Sequence, residues 1–390
     1  MYYDFDTPVN RRRTNSLKWN VDETELPMWV ADMDFQTAPE IRAALQKRME
    51  HGVFGYTDVP KEWAEAIISW WQTRHCFEME KEWLIFCTGV VPAISSAVRK
   101  LTCVGENVLV QTPVYNIFFN SIVNNGRNVL ESPLIYDGTE YQIDFKDLEQ
   151  KLAQPQTTMM ILCNPHNPVG KIWSSETLRR IGDLCHRHHA VVISDEIHCD
   201  VTEPGCSYTP FASVSKTCRE NSITCIAPTK TFNLAGLQTA AVAVPGEALR
   251  HKIIRALNTD EVAEPNAFAV TAAIAAFTEG GPWLDELRTY IHHNRCYVKE
   301  YLDREVPGVV PVSSEATYLV WLDCRRFSGR AAGLSRFLRT ETGLYLSDGA
   351  QFGKTGKDFL RMNIACPRET LKDGLLRLKK GITAFEKQSG

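Results

Sequence analysis

Residues 222–244 read SITCIAPTKTFNLAGLQTAAVAV, and Lys230 lies at the centre of this stretch. The apolar run from Ile223 to Ala227 stops at Pro228, and a second run of small, apolar and β-branched residues follows Gly236. A lysine between two buried strands is unusual, because lysine is almost never fully buried without a partner. A solvated connecting loop is the ordinary alternative. The residues upstream decide between the two.

Upstream of Lys230, short apolar segments alternate with helical patterns. The predicted strands are Trp83–Cys87, Asn107–Gln111, Met159–Cys163, Ala190–Ser194 and Ser222–Ala227. Helices are predicted over Ala93–Leu101 and from Ser174 or Ser175 to about His189. Continuous apolar strands alternating with helices indicate a mostly parallel sheet covered by helices on both faces, which is the α/β fold class.

The residues that follow these strands carry the chemistry of the chain. They are Gly89, Tyr115, Asn167, Asp195 and Lys230. Ligands of open α/β sheets bind outside the carboxyl ends of the strands. The sequence therefore predicts that these five residues share one rim of the sheet.

The pattern also predicts three segments along the chain. Residues 1–40 contain no long periodic element and are expected to contribute to a small domain and an active-site loop. Residues 41–281 form the large domain. Residues 282–390 form a smaller α+β domain, with a long helix after Pro282, strands at Tyr318–Leu322 and Phe359–Ile364, and helices at Ala331–Thr340 and Arg368–Phe385. In the second strand Arg361 falls on the face opposite Leu360 and Met362, which leaves a solvated position or a binding position open.

Composition excludes several classes of function. The net charge of -4 gives no reason to expect nucleic acid or an anionic membrane as a partner. No apolar run reaches the length of a membrane span, and the N-terminus lacks the apolar core of a signal peptide. We therefore expect a cytoplasmic protein whose twelve cysteines are reduced, buried small hydrophobes. The Arg11–Arg13 run is expected to be a solvated face.

A metal site is not expected. The histidine-rich clusters that could suggest a metal are Cys185, His186, His188 and His189, and the pair His292–His293. Neither has a partner at the fixed spacing of a zinc site. Both are typical of the basic last turn of a helix, where the dipole favours them.

The set of side chains on the predicted rim matches pyridoxal phosphate. Lys230 would hold this cofactor as a Schiff base, which requires a neutral amine, and burial lowers a lysine pKa as needed. Asp195 would pair with the pyridine nitrogen and keep it protonated. Asn167 would contact the phenolic oxygen, and Tyr115 would stack on the ring. Backbone amides of Gly89, Val90 and Val91 offer a phosphate site at a helix N-terminus, and Arg361 would bind the substrate α-carboxylate.

The motifs NPHNPVG, SDEIH and PTKTFNLAG, in this order, resemble class I/II aminotransferases, enzymes of pyridoxal-phosphate fold type I, over nearly the whole chain. WVADMDF, HGVFGYTD, TPVYNIFF, SDEIHCD and KTFNLAG are similar to the cystalysin/MalY/PatB group of cysteine-S-conjugate β-lyases. The resemblance implies the roles given above. It also implies that Thr229 replaces a phosphate-binding serine, and that Tyr56 reaches the phosphate of a neighbouring subunit in a homodimer with shared sites.

Three positions differ from what the resemblance leads one to expect. Gln238 stands where many aminotransferases have a phosphate-binding arginine, and His198 stands where they commonly have tyrosine. Asn116 stands where cystalysin has a second tyrosine. The first two departures favour the lyases. The third leaves open which group protonates the leaving thiolate. Ala31, in the loop 24–36, and Asn116 are predicted to contact the substrate.

The resulting prediction is a β-lyase that converts cystathionine or another cysteine S-conjugate to pyruvate, ammonia and a thiol. An aminotransferase remains an alternative, because its reaction begins with the same proton removal by Lys230. A regulatory binding protein with a supplementary cofactor site is a second alternative, since some members of the group combine both roles. The preferred S-substituent and the pathway do not follow from the sequence.

Overall fold

A computed structural model describes residues 2–327 and 333–387. The strands are β1 (Leu26–Pro27), β2 (Leu84–Cys87), β3 (Asn107–Val110), β4 (Asn128–Glu131), β5 (Ile135–Tyr136), β6 (Tyr141–Gln142), β7 (Thr157–Cys163), β8 (Val191–Asp195), β9 (Ser222–Ile226), β10 (Ala240–Ala243), β11 (Val310–Pro311), β12 (Leu319–Asp323), β13 (Leu344–Tyr345), β14 (Ser347–Asp348) and β15 (Phe359–Asn363). The helices are α1 (Pro39–Glu50), α2 (Lys61–His75), α3 (Val90–Leu101), α4 (Ile117–Val123), α5 (Phe145–Leu152), α6 (Ser175–Arg187), α7 (Lys216–Glu220), α8 (Pro228–Thr231), α9 (Glu247–Thr259), α10 (Ala269–Glu279), α11 (Gly281–Glu305), α12 (Leu334–Thr342) and α13 (Arg368–Lys387).

A seven-stranded sheet organises the larger part of the chain, and its strand order is β2-β10-β9-β8-β7-β3-β4. The run β9-β8-β7-β3-β4 is parallel, as the continuous apolar strands predict. Strand β10 is antiparallel to both of its neighbours. It follows Lys230 after a short connection, and so brief a link cannot supply the crossover that a parallel neighbour needs. The α/β fold class with a mostly parallel sheet is confirmed.

A second sheet of four antiparallel strands, β11-β12-β15-β14, lies in the C-terminal part of the chain. The long helix α11 agrees with the helix predicted after Pro282, and it buries Trp283, Leu287 and Ile291 on one face. The predicted helix 331–340 begins in the structure at Leu334, while Ala331 and Ala332 lie outside the described residues. The division into residues 1–40, 41–281 and 282–390 stays a prediction.

Two helix starts show how the sequence sets local structure. Ser174 caps α6 by accepting the amide of Thr177 at 3.1 Å, and Glu176 in the first turn suits the helix dipole. The sequence predicts Pro60 as the first residue of α2, but the helix begins at Lys61 and Pro60 occupies the cap. The aromatic residues Trp63, Trp70 and Trp71 of α2 are buried and belong to the core.

The N-terminal arginines are not a solvated face, contrary to the prediction. Arg11 donates to Asp32 at 2.7 Å and to Asp34 at 2.8 Å, and only Arg13 is largely exposed. Lys18 is fully buried and pairs with Asp34 at 2.8 Å. These contacts join residues about twenty positions apart, and no local pattern in the sequence signals them.

All twelve cysteines are free, and eight are buried as predicted. Cys206 is half-buried, and Cys76, Cys103 and Cys296 are exposed, so the expectation of burial is wrong for these four. Among the described residues, no helix is long and apolar enough to cross a membrane.

Candidate active site

A cavity of about 270 Å³ opens at the carboxyl ends of the parallel strands. Its lining includes all five residues that the sequence predicts to share one rim: Gly89, Tyr115, Asn167, Asp195 and Lys230. The predicted cavity residues Ala31, Val90, Val91 and Thr229 line it as well. The rim forms because β2, β3, β7, β8 and β9 all end at this edge of the sheet.

Lys230 sits in the short helix α8, which begins immediately after β9 with Pro228 as its first residue. The ε-amine donates to the backbone oxygen of Ala31 at 2.6 Å. Burial lowers the pKa of Lys230 to about 8, with the positive charge of Arg361 acting in the same direction and Asp32 and Asp195 opposing it. A substantial fraction of the amine is therefore neutral near neutral pH, as a nucleophile or base requires.

Asp195 is the last residue of β8, and its carboxyl group is buried against the cavity. The backbone amide of Ile197 donates to it at 3.2 Å. Burial raises the pKa of Asp195 to about 7, the neighbouring charge of Glu196 raises it further, and Lys230 lowers it. Because burial disfavours the charged form of Asp195, a cation placed beside this carboxyl group would stabilise it.

Arg361 is 5% exposed, which excludes the solvated position for this residue. Its guanidinium donates to Asn167 Oδ1 at 3.1 Å and to the backbone oxygen of Trp29 at 2.9 Å. Its Nε is buried without a hydrogen-bond partner. Burial lowers the pKa of Arg361 to about 10, so the group stays charged at neutral pH. Within the described residues no carboxylate pairs with it, and a buried cation of this kind favours an anionic ligand.

Two residues that line the cavity present unpaired polar atoms. His198 is 3% exposed and its Nδ1 has no partner. Burial, together with the charges of Lys230 and Arg361, lowers the pKa of His198 to about 3, so the imidazole is neutral. Thr239 also lines the cavity, and its buried hydroxyl is unpaired. Since buried polar groups in proteins are normally paired, these atoms mark hydrogen bonds available to a ligand.

Residues 29–35, here named the strap, pass over Lys230 and close one side of the site. Asn233 fastens the strap through the amide and the oxygen of Met33, both at 3.0 Å, and the oxygen of Phe35 at 3.0 Å. From the C-terminal sheet, Asn363 donates to the oxygens of Val30 and Asp32, both at 2.6 Å.

Tyr318 adds a further contact from the same sheet, because its hydroxyl donates to the oxygen of Ala31 at 3.1 Å. Ala31 thus accepts hydrogen bonds from both Lys230 and Tyr318. Sequence reasoning missed the parts played by Tyr318, Asn233 and Asn363. The one available signal was that Asn363 shares a strand face with Arg361.

A buried carboxylate supports the helix that carries Lys230. Asp200 accepts from Thr231 at 2.9 Å, from Trp70 at 2.9 Å and from His75 at 2.9 Å. Although burial raises the pKa of Asp200, the hydrogen bond and charge of His75 outweigh it and lower the pKa. His75, Cys199 and Asp200 lie close enough to hold a metal ion, but both oxygens of Asp200 are already engaged. This arrangement indicates a structural network.

Three predicted site residues lie outside the cavity lining, and one of them, Arg361, borders the cavity through its hydrogen bond to Asn167. Tyr56 is fully exposed in the loop between α1 and α2, and Asn116 is half-exposed at the start of α4. Gln238 lines the cavity in a left-handed conformation, with φ 52°. The single chain therefore brings together every predicted cofactor residue except Tyr56.

The fold and the site place a half-buried lysine and a buried carboxyl group in one cavity at the sheet edge. The family model for aminotransferase class I and II matches residues 26–378, and the chain belongs to this family. It is 43% identical to cystathionine beta-lyase PatB of Bacillus subtilis (strain 168), over 97% of this chain and 100% of that protein.

Solved structures agree with this assignment. Cystalysin from Treponema denticola, which contains a pyridoxal 5'-phosphate cofactor, matches with a TM-score of 0.95 and 32% identity, over 99% of this chain and 100% of its own. The PLP-bound C-S lyase from Staphylococcus hominis matches with a TM-score of 0.92 and 32% identity, over 97% of this chain and 98% of its own. More distant relatives, at 25% identity, carry aminotransferase names. The predicted resemblance to the cystalysin/MalY/PatB group is confirmed.

Proposed function

We propose that this protein is a pyridoxal-phosphate-dependent carbon–sulfur β-lyase that cleaves cystathionine or other cysteine S-conjugates to pyruvate, ammonia and a thiol. The observation that carries the proposal is that one cavity holds a half-buried lysine, whose pKa is lowered, and a buried aspartate, whose pKa is raised. The similarity to lyases along the whole chain supports the choice of reaction.

The residues present fit the cofactor. Lys230 would supply the amine for its aldehyde carbon, and Asp195 would supply the carboxylate for its pyridine nitrogen. The first turn of α3, at Val90 and Val91, and the hydroxyls of Thr229 and Thr239 would hold its phosphate. When bound, the cofactor supplies an electron sink for the charge that develops at the substrate Cα.

The protein's own groups perform the remaining work. Arg361 binds and orients the α-carboxylate of the amino acid, using donors that no described carboxylate occupies. Lys230 Nζ takes the proton from the substrate Cα, because its lowered pKa leaves it able to accept a proton near neutral pH. The strap holds the Ala31 oxygen beside Nζ and limits the access of water to this atom.

An aminotransferase reaction starts with the same proton transfer, so the two reactions must be separated by their products. Elimination releases the thiolate from Cβ and needs no second substrate, whereas transamination stops until a 2-oxo acid arrives. Gln238 and His198 occupy positions where aminotransferases commonly have arginine and tyrosine, which favours elimination.

The decisive measurement supplies cystathionine or an S-alkyl cysteine without any 2-oxo acid. We expect pyruvate, ammonia and thiol in equal amounts over many turnovers, measured for example with lactate dehydrogenase and a thiol reagent. Activity that ends after one turnover and resumes when a 2-oxo acid is added would establish the aminotransferase instead. The Lys230→Ala variant serves as the control for cofactor-independent breakdown of the substrate.

We further propose that the enzyme is a homodimer with shared sites and acts in the cytoplasm. Tyr56 is fully exposed in the isolated chain, next to the exposed Val53 and Phe54. Contiguous exposed apolar residues are typical of interfaces. Twelve free cysteines, eight of them buried, suit a reducing compartment.

A further inference from the structure

Two side chains of α11, Cys296 and His292, and Glu203 from the connection that follows β8 have the order of a nucleophile, a base and an orienting acid. Cys296 Sγ lies 3.6 Å from His292 Nε2, and the two residues are one helical turn apart. His292 Nδ1 lies 2.6 Å from Glu203 Oε2. None of the three lines the active-site cavity, and the proposed lyase reaction uses none of them.

Contacts other than the one with His292 hold Glu203 in position. Its second oxygen accepts from Arg295 Nε at 2.7 Å, and its backbone amide donates to the oxygen of Glu315 at 2.8 Å. A carboxylate only accepts hydrogen bonds, so the proton of a neutral His292 must lie on Nδ1. The Nε2 lone pair then faces the sulfur of Cys296, which is the tautomer that a base for this thiol requires.

The other accessible cysteines lack this arrangement. Cys76 and Cys103 are exposed, and within the described residues no hydrogen bond to their sulfur is formed by a histidine. Cys206 is half-buried, and burial raises its pKa. A thiol reacts through its thiolate, and a neighbouring imidazolium stabilises that form. The ammonium group of Lys299, one turn further along α11, donates to Asp303 at 2.7 Å, so its charge is paired with Asp303 and not with Cys296.

We propose that Cys296 is a reactive thiol that exchanges with low-molecular-weight disulfides, with His292 as its base and Glu203 as the orienting group. The proton of Cys296 passes to His292 Nε2, and the thiolate attacks one sulfur of the disulfide. A new bond joins Cys296 Sγ to that sulfur while the original S–S bond breaks. The departing thiolate takes the proton from His292, so the exchange balances without another reactant.

Oxidised glutathione is a suitable probe, because its cysteine amines are in peptide bonds and it cannot enter the lyase reaction. The cofactor-loaded enzyme is incubated with it, quenched in acid, digested, and analysed by mass spectrometry for mixed disulfides at each cysteine. At pH 7 we expect Cys296 to react at least about threefold faster than Cys103 in the same molecules.

Two matched variants test the base. His292→Gln should reduce the rate at Cys296 to that of Cys103, while His293→Gln, at the exposed neighbouring position, should leave it unchanged. Equal rates at Cys296 and Cys103 in the unmodified protein would overturn the proposal. Equal effects of the two substitutions would overturn it as well. Cys296→Ala should keep full lyase activity, which separates this site from the catalytic one.

Discussion

Burial lowers the pKa of the Lys230 ε-amine, whereas two nearby carboxylates raise it. Burial is the larger effect, and it brings the pKa to about 8 although Asp32 and Asp195 favour the charged form. The amine that bonds the cofactor must be neutral, so its reactive fraction rises with pH up to the pKa and then levels off. Burial also disfavours the charged forms of Asp195 and Arg361. A ligand group of opposite charge would stabilise each of them.

The first prediction concerns the point of attachment. In cofactor-free protein, the rate of covalent attachment should rise roughly tenfold per pH unit well below the pKa of Lys230 and level off above about pH 8. Lys230→Ala should abolish both attachment and turnover. The measurement is borohydride reduction followed by peptide mass spectrometry. A reduced adduct on a different lysine in this variant would show that the attachment point had been assigned wrongly.

The second prediction concerns Arg361. Arg361→Ala removes a charge-assisted contact worth roughly 1.5–3 kcal/mol, so kcat/KM for amino-acid substrates should fall about 10- to 150-fold, mainly through KM. Cofactor affinity, followed by absorbance, should change much less. Arg361→Lys keeps the charge but loses the planar fork, and should recover only part of the loss. An unchanged KM in Arg361→Ala would place the carboxylate site elsewhere.

At the scale of elements, the strap is the part whose position depends most on distant residues. Asn233 holds it through three side-chain hydrogen bonds while adopting φ 58°, a left-handed conformation that asparagine tolerates better than most residues. A single residue thus links the segment that follows Lys230 to the segment that covers it.

The third prediction follows from this link. Asn233→Ala loses three hydrogen bonds, which should destabilise the strap by roughly 2–4 kcal/mol and raise KM. Limited proteolysis should show faster cleavage within residues 29–35, together with a lower melting temperature. Asn124→Ala, at an exposed position with φ -62°, is the matched control and should change neither quantity. Equal proteolysis of the two variants would show that Asn363 and Tyr318 hold the strap without Asn233.

Features that depend on local sequence patterns could be predicted, whereas features that depend on contacts between distant residues could not. The strands, the helices and the residues at the strand ends follow local patterns, so Lys230, Asp195 and Asn167 could be placed on one rim from the sequence. The course of the strap could not, because Asn233 and Asn363 contact it across 198 to 333 residues of sequence. The partners of Arg11 and the exposure of Cys296 were missed for the same reason, since both depend on tertiary packing.

At the scale of the whole molecule, the isolated chain leaves one predicted cofactor residue without a role. Residues 52–60 form neither helix nor strand, and Val53, Phe54 and Tyr56 in this loop are exposed. An aromatic side chain held in water gains from burial against another surface. A twofold dimer repeats the same contact on both subunits, so each loop would reach the other subunit's site.

The last prediction tests whether the sites are shared. Suppose that Tyr56 acts in the site of the partner subunit, and that Tyr56→Ala and Lys230→Ala are each inactive as homodimers. In a mixed dimer, one site then lacks both groups, while the other combines Lys230 of the first variant with Tyr56 of the second and is intact. Random re-association makes half of the dimers mixed, so about a quarter of the wild-type activity should return.

The experiment unfolds the two variants together in denaturant, refolds them with the cofactor and measures pyruvate release. Each variant refolded alone is the control. Recovery should depend on co-refolding, because mixing the two folded proteins does not exchange subunits unless the dimers dissociate. Activity equal to the sum of the separately refolded variants would mean that Tyr56 acts within its own subunit or not at all. A dimer seen by sedimentation in that case would then have sites that work independently.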